Sequence, residues 1–346
     1  MAPELDFKTR VLTDTAQLLA LADEWSGLYQ RCPGATPFQR PEWVISWAEI
    51  FSPRNIRLIE VRCGSELVGL APLLIYPRAE ERVLAFMAGG VSDYLDLLVD
   101  PQHERDVLLA ILGAIQELDG WTALDLTDLP ASSFLRRTGL AHLATPHDQC
   151  STLRLPATRQ ELLQQLSKRQ RGNVRQAHSR IQKAGGALLE LAKPETLTEF
   201  LEDLFQLHGI RWARSGQPGV LADEKVKAFH RKSAPELLAR GILRLYRLRV
   251  KNQTVAVLYA LFGGGTVYCY LQGYDPDFAA LSSGTYLMFA VMEDAIVAGM
   301  RKFDLLRGEE AYKRHWRAQA ERTYRIQLPR MSERPLVSIT RHTEAA

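Results

Sequence analysis

Residues 56–75, IRLIEVRCGSELVGLAPLLI, lie over residues 243–262, LRLYRLRVKNQTVAVLYALF, without a gap, and this internal repeat constrains the fold more than any other feature. Arg57/Arg244, Leu58/Leu245, Arg62/Arg249, Val68/Val255 and Leu74/Leu261 are identical, and the apolar pattern coincides throughout. Each segment sets a polar turn, Gly64-Ser65-Glu66 or Lys251-Asn252-Gln253, between two β-rich runs, which is the signal of a β-hairpin. The flanks correspond too. A Trp-containing helical stretch precedes each hairpin (Glu24 to Tyr29 and Trp43 to Phe51; Phe200 to Trp212), and an aromatic strand follows it, ending near Ser92-Asp93-Tyr94 or Gly273-Tyr274-Asp275. A duplicated α+β unit accounts for this order.

Length agrees, because 346 residues exceed what one core holds comfortably. The expected division is 1–150, 151–330 and a tail, 331–346, with the boundary in the polar stretch 145–156 between Pro146 and Pro156. Residues 158–184 read as one basic helix, with Leu162, Leu163, Leu166, Val174 and Ile181 as its buried stripe and Gly185-Gly186 as its stop. A hydrophobic fraction of 46%, a charged fraction of 24% and a net charge of +3 suit a globular protein with no global field toward nucleic acid. Cys32, Cys63, Cys150 and Cys269 form no C-x-x-C, which argues against a zinc site or a disulfide framework. The start, MAPELDFKTR, has no signal-peptide core and no apolar run is long enough to span a bilayer, so a cytoplasmic protein is expected.

From residue 266 the order is strand (TVYCYLQGY), loop (DPDFAALSSG), helix (TYLMFAVMEDAIVAG) and strand (KFDLLRG). The loop meets the helix at Ser282-Ser283-Gly284-Thr285. Small side chains, free backbone N–H groups and the positive end of the helix dipole make an anion site there, suited to a pyrophosphate.

This strand, small-residue loop, helix and strand resemble the acyl-CoA-binding core of the GNAT superfamily. With FDLLRGEEAYKRHW and the basic helix, they resemble the CelD/BcsL-like acetyltransferases of cellulose and other exopolysaccharide biosynthesis, a double-GNAT group related to the FemAB-type transferases. The resemblance spans roughly residues 20–320. It implies an α+β fold of two tandem GNAT-like units, each a twisted mixed sheet flanked by helices. The activity it implies is transfer of an acyl group, most simply acetyl from acetyl-CoA, to a hydroxyl or amine on a small-molecule or saccharide acceptor. Leu271, Gly273, Ser282, Ser283, Gly284 and Thr285 are the expected donor-side residues. The usual GNAT loop carries Arg or Gln, two residues, Gly, one residue, then Gly or Ala; here Ala279 and Ser282 hold the first two places and Gly284 alone keeps its type. FemAB-type relatives use aminoacyl-tRNA on this scaffold, so a tRNA-dependent transferase is one alternative and a non-catalytic glycan- or synthase-binding protein another.

Acyl transfer from a thioester requires a deprotonated acceptor, a donor aimed at the developing oxyanion and a proton for the leaving thiolate. No G-x-S-x-G elbow is present and Cys269 has no nearby His, which argues against a covalent enzyme intermediate. Strand alternation puts Asp304, Leu306 and Gly308 on one side and Leu305 and Arg307 on the other, fitting an internal ion pair or an acceptor-binding or base role. Glu309, Glu310, Tyr312, Lys313 and Trp316 follow at the sheet edge where ligands sit in open α/β sheets. The FemAB-like resemblance implies that Tyr312 and Lys313 stand beside the reacting carbonyl, with Lys313 stabilising the oxyanion; Glu309 and Asp304 are the further catalytic candidates. Tyr274, Asp275, Arg307, Tyr312 and Trp316 are expected on the acceptor side. The N-terminal unit lacks an anion loop and is expected to have lost donor binding, with Asp93 and Tyr94 completing the acceptor pocket. Lys168, Arg169, Arg171, Arg175, Arg180 and Lys183 spread over more than one helix face, as a solvated surface or a phosphate-reading one would. His178, His208 and His315 are isolated and read as structural.

Overall fold

The computed structural model describes residues 6–214, 216–308 and 310–330, so the expected tail at 331–346 lies outside the described residues. The described residues divide into two compact units, one of 6–148 together with 322–330, the other Gln149–Glu321.

The first unit runs β1 (Phe7–Leu12), α1 (Thr15–Ala20), α2 (Ala22–Arg31), α3 (Pro41–Phe51), β2 (Ile56–Cys63), β3 (Glu66–Arg78), β4 (Glu81–Phe86), β5 (Leu98–Val99), α4 (Glu104–Glu117) and β6 (Ala123–Leu129). Then come β7 (Ala144–Arg154), α5 (Arg159–Gln165), α6 (Lys168–Lys183), β8 (Leu188–Leu191), α7 (Leu197–Arg214), α8 (Glu224–Ala239), β9 (Leu243–Val250) and β10 (Gln253–Gly263). The chain closes with β11 (Thr266–Tyr274), α9 (Ser283–Val297), β12 (Lys302–Arg307), α10 (Ala311–His315) and β13 (Gln319–Pro329). No described helix is long and apolar enough to cross a membrane.

Strand order in the first unit is β1-β2-β3-β4-β6-β13, with β5 on β3; in the second it is β7-β12-β11-β10-β9-β8. Both are mixed sheets with one parallel pair, β4 with β6 and β11 with β12. The repeat in sequence is a repeat in register. Leu58 faces Pro72 as Leu245 faces Tyr259, and the hairpins bulge at the same place, skipping Val68 in one and Val255 in the other. Both valines are fully buried. In the first unit Val107, Ile111, Leu112 and Ile115 of α4 pack on Ile59, Val61, Leu73 and Leu84; in the second, Val174 and Ile181 of α6 and Leu287, Phe289 and Val291 of α9 pack on Leu248, Leu258 and Val267. Burial of each such side chain contributes roughly 1.5–3 kcal/mol.

Three local expectations are corrected. The polar stretch at 145–156 is the strand β7, whose polar side chains find partners; Thr152, for example, donates to Glu321 at 2.7 Å. The unit boundary falls inside it. Residues 158–184 form two helices because Ser167 is extended and caps α6, accepting from the Gln170 N–H at 3.1 Å. In β12 the simple alternation fails. Leu306 has φ 59°, and Leu305 and Leu306 are both buried.

Candidate active site

β11 and β12 run parallel only as far as the pair Tyr268 and Asp304, although β11 continues to Tyr274. The cause is the bulge in β12. Asp304, 1% exposed, accepts the N–H of Leu306 at 2.8 Å, and the strand then turns to set Arg307 against Cys150 of β7. Beyond Tyr268 the backbone edge of β11 therefore opens into a wedge, as bulges that re-aim strands do beside sites.

A cavity of about 280 Å³ opens in this unit, lined by Gln272 and Tyr274 of β11, Ser282 to Thr285 and Met288 at the start of α9, Gln170 and Asn173 of α6, Arg211 of α7, Ala279, and Tyr312, His315 and Trp316. Ser282, the N-cap of α9, is in the left-handed region at φ 57° and, like the N-caps of α2, α3, α4 and α10, makes no side-chain bond to its own first turn. Its hydroxyl instead accepts from Arg180 at 3.0 Å. The Ser282 carbonyl takes the N–H groups of Thr285 and Tyr286, which leaves those of Ser283 and Gly284 for the cavity. A Cβ on Gly284 would meet nothing within 4 Å, so the approach is open.

At the wedge Gln272 Nε2 donates to the Tyr312 hydroxyl at 2.8 Å, so the phenol's own proton is available to a ligand. Burial pushes the Tyr312 pKa up, so it is a proton donor at neutral pH. Burial also pushes the Cys269 thiol up to about 12, leaving no thiolate to attack a carbonyl. Among the described residues no cluster of His, Cys, Asp or Glu could hold a metal.

Of the expected site residues the cavity brings together Tyr274, Ser282, Ser283, Gly284, Thr285, Tyr312 and Trp316. Glu309 lies outside the described residues. Lys313 is corrected in aim, because its ammonium donates to the carbonyls of Leu306, Arg307 and Gly308 and pairs with Glu310 at 2.9 Å, clamping the end of β12. Asp304 holds the bulge from inside the sheet. Asp275 caps the turn Pro276–Leu281, accepting from the Asp277 N–H at 2.9 Å. Gly273 serves helix packing; a Cβ there would stand 2.7 Å from both the His208 N and the Leu207 Cβ of α7. Leu271 is buried and Arg307 pairs in the sheet, and neither lines the cavity. Asp93 and Tyr94 are buried in the first unit, where Tyr94 packs against Phe38. Of the histidines read as structural, His208 is buried, while His315 lines the cavity.

Sequence reading missed Gln170, Asn173, Arg211, Gln272 and Met288. Two carried a signal: Gln272 shares a strand face with Tyr274, and Met288 is one helical turn beyond Gly284. The basic helix divides its labour, for Arg171 donates to the Leu166 carbonyl at 2.8 Å and His178 packs on Tyr286 at 4.5 Å.

In the first unit the corresponding helix, α4, likewise has no side-chain cap, but it opens with Glu104 and Asp106, whose charges repel an anion from its N-terminus.

Residues 168–314 match the family model described as an acetyltransferase (GNAT) domain. No curated protein matches in sequence. The fold is similar to that of FemX (TM-score 0.65, 14% identity, 93% of this chain and 97% of that one) and of L-PGS from Bacillus licheniformis (0.55, 12%, 92% and 94%). It is also similar to a conserved protein of unknown function from Bacteroides thetaiotaomicron VPI-5482 (0.54, 12%, 94% and 100%). The segment that supplies every cavity-lining residue except His315 and Trp316 thus matches a GNAT acetyltransferase domain, inside a mixed α/β fold similar to that of FemX over nearly its whole length.

Proposed function

We propose that the second unit transfers an acyl group, most simply acetyl, from a CoA thioester to a hydroxyl or amine. The observation that carries this reading is one cavity joining the uncapped start of α9 to the open edge of β11 and to the Tyr312 phenol. A bound thioester would supply an activated carbonyl and a thiolate leaving group. Ser283 and Gly284 offer N–H groups to its anionic part, and the backbone of β11 beyond Tyr268 offers hydrogen bonds to an extended amide chain. Tyr312, held by Gln272, is the proton donor to the leaving group. His315 is the imidazole within the cavity that can take the acceptor's proton.

A saccharide acceptor and a place in exopolysaccharide synthesis are proposed on the CelD/BcsL-like motifs, and an acceptor-side role for the first unit on its lack of an anion turn. A second reading, transfer from aminoacyl-tRNA, is favoured by the fold shared with FemX and L-PGS. Melting the protein with acetyl-CoA, CoA or bulk tRNA separates these, because a ligand bound by the native state raises the midpoint in proportion to its affinity. Stabilisation by CoA or acetyl-CoA is expected; stabilisation by tRNA alone would transfer the assignment to the second reading, and no shift with any of them would overturn both.

A further inference from the structure

The turn before α9 has no cation of its own. Between Asp275 and Ser282 it carries two carboxylates, of which Asp277 is paired with Arg214 at 2.6 Å and Asp275 caps its own turn. Arg180 donates to the Ser282 hydroxyl and does not line the cavity. Arg211 does line it: it is half-buried, its guanidinium carbon stands 5.3 Å from the Tyr274 ring centroid, and among the described residues no carboxylate pairs with it. A guanidinium has five donors and no acceptor, and partial burial without a counter-charge is unfavourable until an anion arrives. The other positive feature of the same cavity is the N–H pair of Ser283 and Gly284.

Packing explains how an arginine remote in sequence comes to be there. Because Gly273 has no side chain, the backbone of α7 at Leu207 and His208 lies directly on β11, and one turn later the helix delivers Arg211 to the end of that strand, against Tyr274. A guanidinium fork matches phosphate oxygens in a way that a point charge does not.

We propose that Arg211, brought in from α7, completes a diphosphate cradle with the start of α9, supplying to the cavity a positive charge that the turn's own residues lack. Assigning that diphosphate to a CoA donor rests on the acyl-transfer reading; a nucleotide-linked acceptor carries the same chemistry.

The test is calorimetric affinity for CoA and for UDP in wild type, R211Q and R211K, each confirmed folded by its melt without ligand, at low salt and at 1 M NaCl. Loss of a charge-assisted hydrogen bond should weaken CoA binding roughly 10- to 100-fold in R211Q at low salt, with R211K intermediate. The gap should close at 1 M, where the screening length is about 3 Å. Equal affinities of R211Q and wild type, or a gap that ignores salt, overturn the proposal. Binding of UDP but not CoA, with the same Arg211 dependence, keeps the cradle and sinks the acyl-CoA reading. Failure of wild type to bind either ligand sinks the cradle.

Discussion

Tyr312 and Lys313 are neighbours in sequence with different work, and substitution separates them. Tyr312→Phe removes the acidic proton and leaves the ring, so turnover should fall by roughly 10²–10⁴-fold with CoA affinity and melting point nearly unchanged. Lys313→Met strands three backbone carbonyls that now share one ammonium, and should cost about 2–4 kcal/mol of stability. Denaturant titration beside steady-state kinetics checks both. A stable Lys313→Met protein with a selective loss of turnover would return Lys313 to the reacting carbonyl. Position in sequence could not tell the two residues apart, because successive residues of a short helix point to different sides and only the packing of α10 on β12 decides which side is inward.

At the scale of elements, the start of α9 and the bulge in β12 position the site together. Gly284 is in the first turn with open space beside it, so Gly284→Val should leave the fold near wild-type stability while crowding the N–H groups that face the cavity. At least tenfold weaker CoA binding by calorimetry is expected, from loss of close backbone approach. Unchanged affinity in a folded variant would move the anion site away from α9. This element was legible in sequence: β11 has its expected bounds, and α9 begins two residues before the expected start at Thr285. The wedge was not. It depends on Leu306 adopting a positive φ, and leucine has no propensity for that conformation; the Asp304 side chain and the pull of β7 impose it.

For the whole molecule, the two units should respond oppositely to mild acid. Burial lowers His208 to about 4 and His230 to about 3, so both stay neutral in the folded second unit while the unfolded chain takes up protons below about pH 6.5. The unfolded state then binds more protons, and stability falls as pH drops from about 6.5 toward 4, by up to about 1.4 kcal/mol per pH unit per histidine. In the first unit burial raises Asp96 to about 6, against hydrogen bonds from Ser133, Leu97 and Phe134 that favour its charged form. There the folded state binds the extra proton, and stability rises as pH falls from about 6 to 4. Hydrogen exchange at pH 5 and pH 7, corrected for intrinsic rates, should show β9 to β11 losing protection relative to β2 to β4; a parallel response of both units would refute the assignment.

The sequence by itself determined the duplicated unit, its hairpins and the strand–turn–helix that borders the cavity, because these follow from periodicities of two and 3.6 residues and from small residues at one turn, all read within short windows. Tertiary structure alone decided the rest. Gln170, Asn173 and Arg211 line the cavity because α6 and α7 pack beside β11 and α9 from positions remote in the chain, and nothing local marks a helical glutamine or arginine as facing a cavity and not water. The ends of the sheets were hidden for the same reason: β13 pairs with β6, and β7 with β12, across separations that no sequence window spans. Local pattern encodes which element forms, whereas the partner that element meets depends on the free energy of burying it, a property of the folded chain as a whole.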